Sequence, residues 1–140
     1  MDEIVIHEEE VFEEVHRITA YAGLKTGNVE GVASTGDDTK ILNSFWNEAV
    51  ASLLDVAGRY ANLQEDEEGA AVLQIDVPDN WREENVNDFR RLASQYMVNA
   101  VCALWFALSL PDKVLMYQTA NVPIARSIKV CLAGRKKPER

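Results

Sequence analysis

Apolar residues recur every three or four positions in four stretches of the chain, which is the spacing of an α-helix with one buried face. The first three stretches cover approximately residues 8–27, 37–62 and 84–110, and the last runs from a cap at Ser109 to Leu132. Gly23 or Gly27 is expected to end the first helix, and Pro123 is expected to kink or break the last one. The pattern therefore predicts four or five helices.

Between the second and third helices the period changes to that of a strand. In residues 71–77, Leu73 and Ile75 lie on one face of an alternating pattern, and Pro78 stops it. An isolated strand cannot satisfy its own backbone hydrogen bonds, so this one needs a partner. Residues 3–7 and a strand from a neighbouring subunit are both candidates. We predict a mainly α fold, a four- to five-helix domain with this short β element.

The third helix is apolar on almost every side in its second half, residues 97–110. This segment is shorter than the roughly 20 residues that span a bilayer, so no membrane partner is expected. The segment is either a central core helix or a helix with one side against another subunit, and the sequence leaves both open. The candidate contact residues are Trp105, Leu104 and Leu108 on this helix, and Leu73 and Ile75 on the strand.

Charge is distributed unevenly along the 140 residues, whose formal net charge is −9. Residues 1–70 hold 16 acidic and 4 basic side chains, and residues 71–140 hold 7 acidic and 10 basic ones. The overall acidity argues against a general nucleic-acid binder, because phosphates would be repelled at long range, and no sequence-specific nucleic-acid binding is expected. Opposite charge in the two halves suits contact between copies, or a basic arm that reaches an acidic partner.

The basic residues at the C-terminus lie beyond the last helix, which Gly134 is expected to end. We therefore assign residues 1–134 to a single helical domain and 135–140 to an exposed basic tail. Arg135, Lys136 and Lys137 of this tail are candidate contacts to a partner.

The sequence contains no motif for catalysis or for a metal site. Glu13 and His16 have the Glu-x-x-His spacing of di-iron bundles, but such a site needs two pairs and this chain has two histidines. His16 is therefore expected to be a surface histidine among carboxylates. Cys102 and Cys131 lie in apolar surroundings with no secretory signal before them, which predicts buried thiols and a cytoplasmic location. No enzyme activity, metal or cofactor is expected.

The order of the predicted elements is familiar as a whole. A helix, a loop and a helix capped by Asp37 and Asp38 precede a short strand that ends at Pro78. A helix with Trp105 and a last helix ending in Arg-Lys-Lys-Pro follow. Over residues 8–137 the chain resembles the small head–tail connector (neck or adaptor) proteins of tailed bacteriophages and prophages. The resemblance implies a homo-oligomeric ring that contacts phage structural proteins such as the portal or tail, in the cytoplasm or in the phage particle.

A second hypothesis comes from the acidic residues rather than from the order of elements. Residues 8–14 and 65–68 could form the surface of a small acidic interaction module, of the inhibitor or immunity type, that binds a basic partner. The two hypotheses predict different behaviour in solution, because a ring subunit forms large oligomers and the interaction module does not.

Overall fold

The structure is a computed structural model that describes residues 2–67, 70–75 and 83–133. In this part of the chain four long helices, one single-turn helix and three strands follow one another. They are β1 (Asp2–His7), α1 (Glu8–Thr26), α2 (Val29–Val32), α3 (Thr39–Ala57), β2 (Ala61–Glu67), β3 (Ala70–Ile75), α4 (Glu83–Ser109) and α5 (Val114–Ala133). The predicted mainly α fold with a short β element is confirmed. The stop at Pro78 and the basic tail 135–140 lie outside the described residues.

The three strands form one antiparallel sheet in the order β1-β3-β2. Ile4 of β1 pairs with Leu73 of β3, so the pairing of residues 3–7 with the predicted strand is confirmed. The sequence pattern does not predict β2, which pairs with the other edge of β3 through a bulge between Leu63 and Glu65. Both edges of β3 are therefore paired within the chain, and a strand from a neighbouring subunit is not its partner.

The central element is α4, which packs against α1, α3, α5 and β1. Its buried face consists of apolar side chains, among them Phe89, Met97, Val101 and Phe106. The predicted helix over 84–110 is confirmed, since α4 spans Glu83–Ser109 and has 27 residues. By length and composition alone the segment Glu84–Ser109 could cross a membrane, but in this fold 44% of its apolar window is buried inside the molecule. Within residues 97–110 only Ala107 and Leu108 are exposed, so this half of the helix is largely covered by its own chain.

The last helix, α5, continues through Pro123, so of the predicted kink or break the break is wrong. A proline inside a helix removes one backbone hydrogen bond, here to the carbonyl of Thr119. Both Pro123 and Thr119 are exposed, so water can bind the carbonyl that loses its partner. The helix therefore tolerates this proline because the missing bond lies on the solvent side.

Candidate interaction surface

Three of the contact residues predicted from the sequence lie inside the fold. Leu73 and Ile75 are buried under the helices, and the side chain of Trp105 is only 9% exposed to solvent. The indole Nε1 of Trp105 donates a hydrogen bond to the carbonyl oxygen of Val32 at 2.6 Å. We correct the prediction for these three residues, because their side chains complete the core of their own chain and present no contact surface.

The other predicted contacts have different positions. Leu104 is half-buried, whereas Leu108 in the last turn of α4 is 65% exposed and remains available to a partner. Arg135, Lys136 and Lys137 lie outside the described residues, and their role as partner contacts stays a prediction.

A surface that is not among the predicted contacts lies on α5, which has apolar side chains on two opposite faces. The inward face packs on the core through Tyr117, Ile124, Ile128 and Leu132. On the outward face Leu115, Val122 and Val130 recur about every two turns and are 71%, 56% and 65% exposed. The sequence of α5 thus contains a second apolar stripe at helical spacing, opposite the buried one.

We define the α5 face as the exposed residues Leu115, Met116, Val122, Pro123 and Val130. The solvent side of a surface helix is normally polar, and exposed apolar side chains that recur along it are typical of a surface that binds another molecule. No acidic residue occurs in α5. The exposed Arg126 and Lys129 make no ion pair with the described residues. The α5 face is thus an apolar surface with positive charge beside it.

Next to the α5 face, a cleft of about 380 Å³ lies between α1 and the start of α5. Three cations, Arg17, Lys25 and Lys113, line it together with apolar and aromatic side chains, and Met116 belongs both to the cleft and to the α5 face. The remaining lining residues are Ile18, Tyr21, Ala22 and Tyr117. Among the described residues no carboxylate lines this cleft, which we call the cationic cleft.

The three cations of the cationic cleft differ in how they are paired. Arg17 forms an ion pair with Glu14. The ammonium of Lys25 lies 5.5 Å from the centre of the Tyr21 ring, and neither Lys25 nor Lys113 forms an ion pair with a described carboxylate. Two cations of the cleft are therefore free to bind an anionic group from another molecule.

Charge of the opposite sign is gathered at the other end of α1. Glu9, Glu10 and Glu13 are exposed there, and we call these three residues the acidic pole. With 19 residues in α1 and a rise of about 1.5 Å per residue, the helix is about 28 Å long. The acidic pole and Lys25 are thus held apart and cannot neutralise each other within one molecule.

A polar cluster centred on Ser34 corrects the prediction that His16 is a plain surface histidine. His16 is half-buried, and its Nδ1 lies 2.7 Å from the hydroxyl of the buried Ser34. The Ser34 hydroxyl also lies 3.0 Å from Thr19 Oγ1, which accepts a hydrogen bond from the Ser34 amide. These bonds tie the segment before α3 to α1. Because the Ser34 hydroxyl is buried and already paired, the arrangement is a structural link rather than an accessible nucleophile.

Among the described residues, the other side chains that could act in catalysis or bind a metal do not converge on one site. A wider cleft of about 520 Å³ between α1 and α4 holds Glu10, Glu14 and Arg91, on a lining that is mostly apolar. Within the described ranges no three residues of the types that ligate metals are grouped closely enough to hold an ion. The side chains thus support contact with another molecule better than they support chemistry.

Comparison with protein-family models, with curated proteins and with solved structures finds no match for this chain. A function is therefore inferred from three features of its surface. These are the apolar α5 face, the cationic cleft that shares Met116 with it, and the acidic pole at the start of α1.

Proposed function

We propose that this chain is a structural assembly subunit of the kind that phage and prophage head–tail connectors use, forming a homo-oligomeric ring between portal and tail. The observation that carries the proposal is the exposed α5 face, with Leu115, Val122 and Val130 each more than half exposed. Burying a valine or leucine side chain contributes roughly 1.5–3 kcal/mol, so covering this face would stabilise an assembly substantially.

A ring needs a contact in which one surface of each copy meets a different surface of the next. The α5 face supplies apolar area, and charge of opposite sign at the two ends of α1 supplies orientation. The structure has the mainly α fold that the sequence predicts, and the resemblance to connector subunits remains part of the proposal. Under this proposal Arg135, Lys136 and Lys137 contact a portal or tail protein, and the chain resides in the cytoplasm or in the assembled particle.

The acidic pole favours a second candidate, an interaction module of the inhibitor or immunity type. Exposed carboxylates on Glu9, Glu10 and Glu13 would attract a basic protein surface. Such a module would remain monomeric until it met its partner and would leave the α5 face uncovered. The oligomeric state therefore separates the two candidates.

Sedimentation velocity over a range of concentrations tests the assembly proposal, and we expect species larger than the monomer to grow with concentration. Val122→Asp places a charge in the α5 face and should lower the association constant at least about tenfold, with an unchanged helical circular dichroism spectrum. Leu108→Asp tests whether the exposed end of α4 belongs to the same contact.

The matched control is Ala51→Asp, which adds the same charge at an exposed position of α3 and should leave association unchanged. A wild-type protein that stays monomeric at roughly 1 mM, where a contact worth about −4 kcal/mol is half formed, would contradict the ring and favour the interaction module.

A further inference from the structure

The charges of α1 are segregated along the helix. Its first two turns carry the exposed Glu9, Glu10 and Glu13, and the second half carries Arg17 and Lys25 with no acid. Lys113, from the turn before α5, adds a third cation at the second end. One helix therefore presents opposite charge at its two ends.

The helix dipole alone accounts for part of this arrangement, since acids favour the first turn of a helix and bases the last. It does not account for the cationic cleft. Lys113 belongs to another element, and the cations surround a concave, largely apolar surface on which Tyr21 and Met116 are each more than half exposed. A cation placed over exposed apolar area is typical of a binding site for an anionic group with a partly apolar body.

From these observations we infer that the cationic cleft of one copy binds the acidic pole of the next copy. The inference rests on the proposed assembly function and specifies the contact that orients it. Carboxylates of Glu9 and Glu13 pair with Lys25 and Lys113 of the neighbour, and the α5 face, which shares Met116 with the cleft, extends the contact as apolar area.

A second copy is the occupant that the charges favour. With a net charge of −9, two copies repel each other in most orientations. When an acidic pole approaches a cationic cleft, the electrostatic interaction between the two surfaces becomes attractive. Because the acidic pole lies in the first two turns of α1 and Lys25 lies in its last turn, the contact joins different surfaces of the two copies. It leaves a free pole on one copy and a free cleft on the other, as a ring requires.

Two charge-reversed double variants test this pairing. Lys25→Glu with Lys113→Glu places acids in the cleft, and Glu9→Lys with Glu13→Lys places bases on the pole. Each variant alone brings like charges together, so its association constant should fall at least about tenfold relative to the wild type. An equimolar mixture should associate again, because each pole then faces a cleft of opposite sign. Native mass spectrometry should show that the two variants alternate in the mixed species.

Lys40→Glu with Arg90→Glu is the matched control, since it makes the same change in net charge at two exposed positions outside the cleft. It should associate as the wild type does. Thermal melting of each variant checks folding, and Lys25→Gln with Lys113→Gln replaces the reversed cleft variant if that one does not fold.

The outcomes separate this inference from the proposed function. A wild type that assembles while the cleft and pole variants do so equally well overturns the pairing and leaves the assembly function standing. The pairing is also overturned if the mixture of the two variants does not associate, or if the control variant loses as much association as the cleft and pole variants do. A wild type that never assembles overturns both proposals.

Discussion

At the scale of single residues, Trp46 and Trp105, the tryptophans that are buried in the described part of the chain, differ in the partner of their indole nitrogen. Trp105 Nε1 donates to the Val32 carbonyl, whereas no described group accepts a hydrogen bond from Trp46 Nε1. Trp105→Phe leaves that carbonyl without this donor, which costs about 1–3 kcal/mol beyond the lost volume. Trp46→Phe loses a similar volume but also removes a buried N–H that has no described partner.

We therefore expect Trp105→Phe to lower the free energy of unfolding by at least about 1 kcal/mol more than Trp46→Phe does. Urea denaturation of the two variants beside the wild type measures the difference. Equal losses would show that the bond to Val32 contributes little to stability.

Cys102 couples stability to alkaline pH. Burial, with a smaller contribution from the charge of Glu14, raises the pKa of its thiol from 9.0 to about 12. Above pH 9 the unfolded chain loses this proton while the folded chain keeps it, so the free energy of unfolding should fall as pH rises toward 12. The free energy of unfolding of Cys102→Ala should fall less steeply between pH 9 and 12 than that of the wild type. Urea denaturation at several pH values measures both.

Cys131→Ala is the control for this titration, since burial also raises the pKa of the half-buried Cys131 thiol and the two effects must be separated. Below pH 9 neither thiol is expected to contribute a pH dependence. Parallel curves for wild type and Cys102→Ala between pH 9 and 12 would contradict the assignment to Cys102.

At the scale of elements, periodicity predicts the long helices and the strand β3, because one face of each is apolar, but it leaves the partner of β3 open between β1 and a neighbouring subunit. It does not predict β2, since residues 65–67 are acidic and a strand there depends on pairing with β3 rather than on its own side chains. Nor does it predict which apolar stripe of α5 is buried. Ile128 and Val130 are both apolar and β-branched, and only the packing of the helices buries Ile128 and leaves Val130 on the surface.

The continuous path of α5 through Pro123 yields a prediction of its own. Pro123→Ala restores the backbone hydrogen bond to the Thr119 carbonyl and removes the ring from a helix interior, so the free energy of unfolding should rise by about 1–3 kcal/mol. Thermal and urea denaturation measure the gain. Val122→Ala, at the adjacent exposed position, keeps its backbone bond and should shift stability by no more than about 0.5 kcal/mol. A loss of stability in Pro123→Ala would mean that the proline ring stabilises the fold through its own contacts.

At the scale of the whole molecule, the candidate contact surfaces depend on positions that are far apart in the sequence. The cationic cleft joins Lys25 of α1 to Lys113 and Met116, and only the packing of α1 beside the start of α5 brings them together. The sequence shows an acidic first half and a basic second half, but it cannot place either charge on a surface. The sequence prediction that opposite charges suit contact between copies stays a prediction, and the fold now supplies the residues with which to test it.

Ionic strength should separate the two kinds of contact in the proposed assembly. The Debye length falls from about 10 Å at 0.1 M salt to about 3 Å at 1 M, so pairing of Lys25 and Lys113 with the acidic pole weakens while burial of the α5 face does not. The difference in association constant between wild type and Lys25→Glu with Lys113→Glu should therefore shrink at 1 M salt. The difference between wild type and Val122→Asp should persist, because it reflects lost apolar burial. Sedimentation velocity at both salt concentrations measures the two differences, and a cleft effect that is independent of salt would contradict charge pairing at this contact.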